Sequence, residues 1–331
     1  MKYVRPLTTL AVVVATVLAA TPVGATPGAL VRVISAPRYH FVTPNGIASD
    51  GTHLWVANEG GQSVTEVDAK TGVLVAVLKG KAFGFATPNA VATDGVRVWI
   101  TNEAGNSVTE LNARSGALVK VLSGKAFGFD APYAVAMSRG RVWVTNLRGS
   151  TVTELSGSGA LVKVLRGPSY QFAGPIAVAT DRTRVFVANA GSTVTVLDAA
   201  TGALVKVLTD ASYRFNSPNA ITYHGQHVWV VNAGGNTVTE LQAGNGDLVQ
   251  VVKGAKYGFN GAGAITSDGA HVWVTNSTGN SVTELSTSGS LVTVVKGVKY
   301  GFYGPQGITS DGVHVWVLNY RVGTMTELAA R

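Results

Sequence analysis

The sequence predicts an all-β fold: a seven-bladed β-propeller of four-stranded blades, closed by its own N-terminal strand. Three observations carry that prediction. An aromatic residue, two small or β-branched residues and Asn return seven times: Trp55-Val56-Ala57-Asn58, Trp99-Ile100-Thr101-Asn102, Trp143-Val144-Thr145-Asn146, Phe186-Val187-Ala188-Asn189, Trp229-Val230-Val231-Asn232, Trp273-Val274-Thr275-Asn276 and Trp316-Val317-Leu318-Asn319. Successive copies are 43 or 44 residues apart, the length of one propeller blade. Each interval holds four short β-type runs separated by turn residues. The last repeat stops after its third run at the C-terminus, while Gly28-Ala29-Leu30-Val31-Arg32-Val33-Ile34, near the other end, reads like the fourth run Gly116-Ala117-Leu118-Val119-Lys120-Val121-Leu122.

The second repeat shows how each element is read. Residues 90–93, 97–101, 108–112 and 117–122 alternate or cluster β-branched and apolar side chains as strands do. Asp94-Gly95 separates the first two, as Asp50-Gly51, Asp268-Gly269 and Asp311-Gly312 do elsewhere, and these residues accept the positive φ of a tight hairpin. Thr71-Gly72 and Ser115-Gly116 mark the third turn. One position of the first strand holds only Gly or Ala, at Gly46, Ala90, Ala134, Ala177, Ala220, Ala264 and Gly307. Blades arranged radially crowd at the axis and diverge outward, so small residues belong inside and the Trp position farther out. Joining the N-terminal run to the last three strands zips the ring shut and removes its free edges.

Composition bounds the rest. The repeats make one domain, residues 26–331. Residues 1–25 read as a secretory signal peptide: Lys2 and Arg5, an apolar run from Leu7 to Ala20, then Val23-Gly24-Ala25 before the cut. An exported protein is therefore expected, secreted, extracellular or periplasmic after cleavage, with no transmembrane segment in the mature chain. The chain has no Cys, which excludes disulfides and thiolate metal sites. Lys2 and Arg5 are the only charges in the first 25 residues, so without them the formal charge falls from +8 to +6. More than half of the remaining Lys and Arg fall in the last strand of each repeat or in the connection after it. One rim should be basic, either as lysines that blunt exposed strand edges or as an anion-binding belt.

The strings Trp143-Val144-Thr145-Asn146 and Trp273-Val274-Thr275-Asn276 resemble the Tyr-Val-Thr-Asn signature of the YVTN family of β-propellers, with Trp in place of Tyr. Gly105 to Glu110, Gly279 to Glu284 and the leading Pro88 to Ala92 resemble the same family and the related NHL repeats. The resemblance covers residues 28–331 and extends more distantly to virginiamycin B lyase-like propellers. It implies the fold, but such propellers include surface-layer, periplasmic and adhesive proteins as well as enzymes. Related metal-dependent lactonases hold a cation with acidic and amide groups at the channel mouth. Here the residues after each leading Pro, or after Ala262 in the sixth repeat, are Asn45, Asn89, Tyr133, Ile176, Asn219, Gly263 and Gln306, with no carboxylate among them. No metal or other cofactor is expected. A lyase of the related kind would need a His and a Glu together by the channel, and no such pair maps onto this sequence.

Features repeated in every blade read as structural, and departures from the repeat as candidate sites. The seven Asn residues read as turn-closing groups. His53, Arg97, Arg141, Arg184, His227, His271 and His314, two residues before each aromatic, read as surface residues beside the first-turn Asp. Glu66, Glu110, Glu154, Glu240, Glu284 and Glu327 in the third strands read as exposed partners of nearby Lys or Arg. His224 and His227 form the only local His pair. The predicted ligand-binding residues are Asn45, Asn89, Tyr133, Asn219 and Gln306 at the channel mouth, with Tyr303, Tyr320 and Arg321 on the closing blade, and Leu147-Arg148 as a further departure. A basic aromatic rim, Lys81, Lys125, Lys256, Tyr257, Lys299 and Tyr300, is a second candidate surface, since aromatic-plus-cation chemistry suits anionic glycans. No base-reading motif is present, which argues against sequence-specific nucleic-acid recognition. These features predict a monomeric, non-catalytic binding module for an anionic glycan, a cell-wall polymer or a protein. A lyase or hydrolase at the channel mouth, and a structural envelope or surface-layer component, stand as alternatives.

Overall fold

A computed structural model of the protein describes residues 26–330; the signal peptide of the sequence reading lies outside them. They form seven four-stranded antiparallel sheets. Blade 1 spans Pro44–Ser49, His53–Asn58, Ser63–Asp68 and Leu74–Lys79 from the inner strand outward, and blades 2 to 6 repeat this order. Blade 7 takes its inner three strands from the C-terminus, Pro305–Ser310, His314–Asn319 and Thr324–Ala329, and its outer strand, Leu30–Ile34, from the N-terminal end. The pairing registers Leu30 with Leu328, Arg32 with Glu327 and Ile34 with Met325. No helix among the described residues is long and apolar enough to cross a membrane.

Close approach at the axis accounts for the small-residue position. A Cβ added to Gly46 would stand 2.2 Å from the Asn89 carbonyl oxygen, and one added to Gly307 would stand 2.3 Å from that of Asn45. Farther out the gap is filled by the six Trp side chains and Phe186, all fully buried. Each packs against the following blade: Trp143 lies with Phe172, Val185 and Leu197, and Trp316 with Ile47, Leu54 and Val67, which joins blade 7 to blade 1.

The seven Asn residues are structural, by a different bond from the one expected. Nδ2 of Asn58 donates to Ser63 Oγ at 3.2 Å and to Thr65 Oγ1 at 2.9 Å, and Thr65 Oγ1 donates to the Tyr39 carbonyl at 2.7 Å. The amide therefore grips the third strand and, through it, the connection from the previous blade, rather than a turn amide. The same Asn–Thr–carbonyl relay is present in all seven blades.

The third-strand Glu residues correct the sequence reading: all six are buried, with exposures of 0–3%. Burial demands partners, and the residue two before the aromatic supplies one in each blade. Arg97 pairs with Glu110 and Arg141 with Glu154; His227 Nδ1 lies 2.8 Å from Glu240, and the other histidines lie 3.5–3.7 Å from their Glu. These basic residues are therefore partly buried ion-pair partners, not surface groups. In blade 4, where Val196 replaces Glu, Arg184 turns to Asp198 at 3.4 Å. The outer strand adds Lys120, Lys163 or Arg32 in three blades and Gln250 in a fourth.

Glu284 has the weakest support. Thr293 faces it from the outer strand, and Asp268 and His271 are its charged or titratable neighbours. Burial, reinforced by the Asp268 carboxylate, pushes its pKa from the ordinary carboxylate range up to about 7. Because the folded-state value lies above the unfolded one, this group's stabilising contribution is full below about pH 4.3 and is lost as pH rises through 7. Glu284→Gln should therefore be more stable than the parent at pH 8, by about 2–3 kcal/mol, and close to it at pH 5. Urea denaturation at the two pH values measures this. An equal difference at both would contradict it.

Candidate functional site

The inner strands begin at one end of the channel with Pro or Ala, and the register of each slips just after that residue. A Thr in the second strand serves the irregularity in three blades: Ala90, Ala134 and Ala264 donate their backbone N–H to Thr101, Thr145 and Thr275 at 2.8–3.0 Å. The bulge turns the next residues toward the axis, around a cavity of about 510 Å³. Its mouth carries Asn45, Asn89, Tyr133, Ile176, Asn219, Gly263 and Gln306, and its throat is apolar, lined by Ile47, Val91, Val178, Ile221 and Ile308. The sequence reading thus named five residues that stand in one ring.

Five of these seven mouth positions are polar, Ile176 and Gly263 being the exceptions. Asn45 Nδ2 donates to Asn89 Oδ1, Asn89 Nδ2 donates to the Tyr133 carbonyl at 3.0 Å, and Asn219 Nδ2 donates to the Gly263 carbonyl at 3.1 Å. These amides bind neighbouring blades together while keeping an oxygen or an N–H at the rim. Burial raises the Tyr133 phenol above its ordinary pKa, with Glu103 and Glu59 adding to the effect and an Asn89 hydrogen bond opposing it. At neutral pH it is therefore a neutral hydroxyl that can donate.

Glu59 and Glu103 stand beside the mouth and were not among the residues singled out from the sequence, although Leu147 and Tyr320 at the same position, after the second-strand Asn, were. In every blade the residue after that Asn donates its N–H to the connection beside it, at 2.8–3.2 Å, so the seven positions are equivalent: Glu59, Glu103, Leu147, Ala190, Ala233, Ser277 and Tyr320. Ala233 and Ser277 line the cavity. The signal was available as two acidic residues in a register that is otherwise apolar or neutral. Tyr320 belongs to this second ring and donates its hydroxyl to Glu59 Oε2 at 3.3 Å. Tyr303 and Arg321 lie just outside it on blade 7; Tyr303 is exposed, and the Arg321 guanidinium sits 5.8 Å from its ring.

The basic aromatic rim is basic but not aromatic. Lys81, Lys125, Lys256 and Lys299 are exposed on the short 3₁₀ turns of the connections. The aromatic pairs, by contrast, stack at 5.1–5.5 Å in the wedge between blades. Tyr257 is buried, with its hydroxyl on the Gly289 carbonyl at 3.3 Å, and Tyr300 is half-buried in its stack. Lys256 and Lys299 lie 5.0 and 4.9 Å from the rings of Tyr257 and Tyr300. Each of these two Tyr rings thus already has an ammonium over its face.

The histidines are spread among blades. His53, His227, His271 and His314 serve the buried carboxylates, His40 Nδ1 lies 3.2 Å from Ser63 Oγ, and His224 Nδ1 lies 2.8 Å from Ser267 Oγ on the next blade. No histidine lines the cavity, and no group of three or more His, Asp or Glu residues placed to hold a metal occurs among the described residues.

The closed ring and its polar mouth over an apolar throat define a seven-bladed propeller with a candidate small-ligand or segment-binding site at one end of the channel. Solved structures share that fold. Virginiamycin B lyase from Staphylococcus aureus aligns with a TM-score of 0.74 at 18% identity, over 90% of this chain and 98% of that one. A catalytically inactive His-to-Ala variant of the same lyase with quinupristin aligns at 0.72, with 17% identity and the same coverage. The β-propeller domain of Cps50 (Swd1) from Myceliophteria thermophila aligns at 0.73, with 12% identity over 92% of this chain and 100% of that one. No protein-family model matches the chain, and no curated protein matches it in sequence. At these identities the likeness is one of fold, among proteins of different roles.

Proposed function

We propose that the protein is an exported binding propeller that takes its ligand at the channel mouth. The carrying observation is asymmetry. Asn, Thr and the aromatic pairs repeat around the ring and are consumed by packing, whereas Tyr133 and Gln306 break the repeat at the mouth of one cavity, and Glu59, Glu103 and Tyr320 break it in the adjoining ring after the second-strand Asn. An apolar throat beneath a polar rim suits a ligand that inserts an apolar part and leaves a polar one at the mouth. A lyase or hydrolase reading finds less support, because the cavity lining offers neither a histidine nor a metal-binding set. Binding of the protein to an array of envelope glycans, cell-wall polymers and peptides tests the proposal. A hit should weaken at least about tenfold in Tyr133→Ala/Gln306→Ala with the fold intact; a hit indifferent to that variant would refute it.

The exposed rim lysines favour a second role, attraction of an anionic envelope polymer to the same face. Such binding is electrostatic, so it should weaken steeply between low and moderate salt, and Lys256→Glu/Lys299→Glu should abolish that dependence. Salt-independent binding by the parent protein would remove the rim from the account. Self-association, or retention with the envelope in the absence of any soluble ligand, would favour the structural alternative.

A further inference from the structure

We propose that blade 5 carries a second binding site, for an uncharged saccharide, in a cavity lined by Tyr223, Gln226 and Gln242 on the face opposite the mouth. The inference stands apart from the mouth reading, since the strand Pro218–His224 runs from Asn219 at the mouth to Tyr223 at the other end.

Two observations carry it. The first is what blade 5 gives up in its turns. In blades 1, 2, 6 and 7 a hydroxyl of Ser49, Thr93, Ser267 or Ser310 accepts the N–H of the turn glycine at 3.0–3.2 Å. The Asp that follows accepts two further N–H groups through Oδ1, as Asp94 does from Val96 and Arg97 at 2.9 and 2.8 Å. Blade 5 has Tyr223 and His224 in these two places, and His224 turns to Ser267 of blade 6. Neither side chain is of the short kind that closes its own turn, so bonds made in the other blades are forfeited here. The third turn departs as well. Asp68, Asn112 and Asp198 each accept the N–H three residues on, at 2.7–3.1 Å, whereas Gln242 stands in their place and Asn245 and Asp247 bond each other instead. Gln226 occupies a position that is Thr, Val, Gly or Ala in the six other blades. Local rules broken without a structural return mark functional sites.

The second observation is that these departures meet. Tyr223, Gln226 and Gln242 line one cavity of about 500 Å³, with Asp181 of blade 4 across from them, a volume suited to a small ligand. Tyr223 is half-buried and packs on the core between blades 4 and 5. Burial and the Asp181 carboxylate hold its phenol above the ordinary pKa, so at neutral pH it is a hydroxyl that can donate. The lining then decides the class of ligand. It has no Lys, Arg or His, which leaves an anion without a counter-charge. Its one carboxylate is committed to its own turn, where Asp181 Oδ1 accepts the Arg184 N–H at 2.6 Å and the Thr183 hydroxyl at 3.0 Å. Ala243 is the single aliphatic side chain, too little to hold an apolar body. Two side-chain amides and a phenol remain. Each amide sets donors beside an acceptor, the pattern that adjacent sugar hydroxyls match, and the phenol joins an apolar ring to a polar tip.

The test titrates the full protein with maltose, cellobiose and glucose, and with glucosamine and glucuronate as charged counterparts of glucose, read by saturation-transfer NMR. A neutral sugar should bind, and glucose should bind more tightly than either charged counterpart. Tyr223→Thr/Gln226→Thr, which installs the residues that blade 4 carries as Thr180 and Thr183, should weaken that binding at least about tenfold with the fold retained. Should the double variant fail to fold, Gln226→Thr alone, at an exposed position, should still weaken it. Tyr133→Ala/Gln306→Ala should leave it unchanged. Preference for glucosamine or for glucuronate would overturn the uncharged class. Sugar binding lost in the mouth variant and kept in the blade 5 variant would overturn this site and assign the sugar to the mouth. Absence of binding by every neutral probe would overturn the site while leaving the mouth reading intact.

Discussion

Removal of residues 26–36 should open the ring and lower stability by at least about 3–5 kcal/mol. The deletion takes away the outer strand of blade 7 and exposes the long edge of Thr324–Ala329. It also removes Arg32, whose Nε lies 2.6 Å from Glu327 Oε2, and leaves a carboxylate of 0% exposure with His314 as its remaining basic neighbour. Breaking a buried pair from one side costs about 3–5 kcal/mol by itself. Ile34 is lost too, from the cluster in which Trp316 and Met325 meet blade 1. Urea denaturation of the truncated protein measures the change, and light scattering should show new association through the bared edge. A truncated protein that unfolds at the same urea concentration and stays monodisperse would show that the closing strand does not hold the ring.

Trp143→Ala should cost about 3–5 kcal/mol, the range for truncating a large buried aromatic in a core that cannot collapse around the void. Trp143 is fully buried and packs against residues of both its own blade and the next, including Leu165, Phe172 and Leu197. Neighbouring blades are fixed by their own sheets, so the cavity should persist. The same reasoning predicts a smaller loss for Phe186→Leu, which keeps an apolar side chain in the same wedge. A melting temperature unchanged in Trp143→Ala would place the residue outside the interface.

The architecture was legible because it is written seven times. The repeat period, the Gly/Ala position and the displaced fourth strand each follow from sequence positions, and each has a geometric counterpart: blade number, axial crowding and the pairing of Arg32 with Glu327. What sequence could not show was depth. Glu on a strand flanked by polar residues reads as exposed, and nothing local reveals that the next blade covers it. Glu66 shows why: its Oε2 would lie 3.0 Å from a Cβ on Gly116, a residue of the following blade's third turn. The depth of Tyr257 was hidden for the same reason: it is buried, with its hydroxyl on the Gly289 carbonyl. At the mouth, Asn45, Asn89, Tyr133, Asn219 and Gln306 were found because the small-residue position locates the axis. In the turn after the second strand, Leu147-Arg148, Tyr320 and Arg321 were singled out as departures, whereas Glu59 and Glu103, at the same position in blades 1 and 2, were not.

The rim and mouth also answer different demands. Lysines on exposed connections act over distance and are screened by salt, so they can gather a polymer without choosing among small molecules. Choice requires a confined space in which desolvated groups must be matched, and the channel mouth supplies one of about 510 Å³.

A crystal structure with the strongest array hit bound tests the account most directly. The account predicts ligand in the cavity among Asn45, Tyr133, Asn219 and Gln306. Ligand seated only on the outer connections, with the mouth empty, would contradict it.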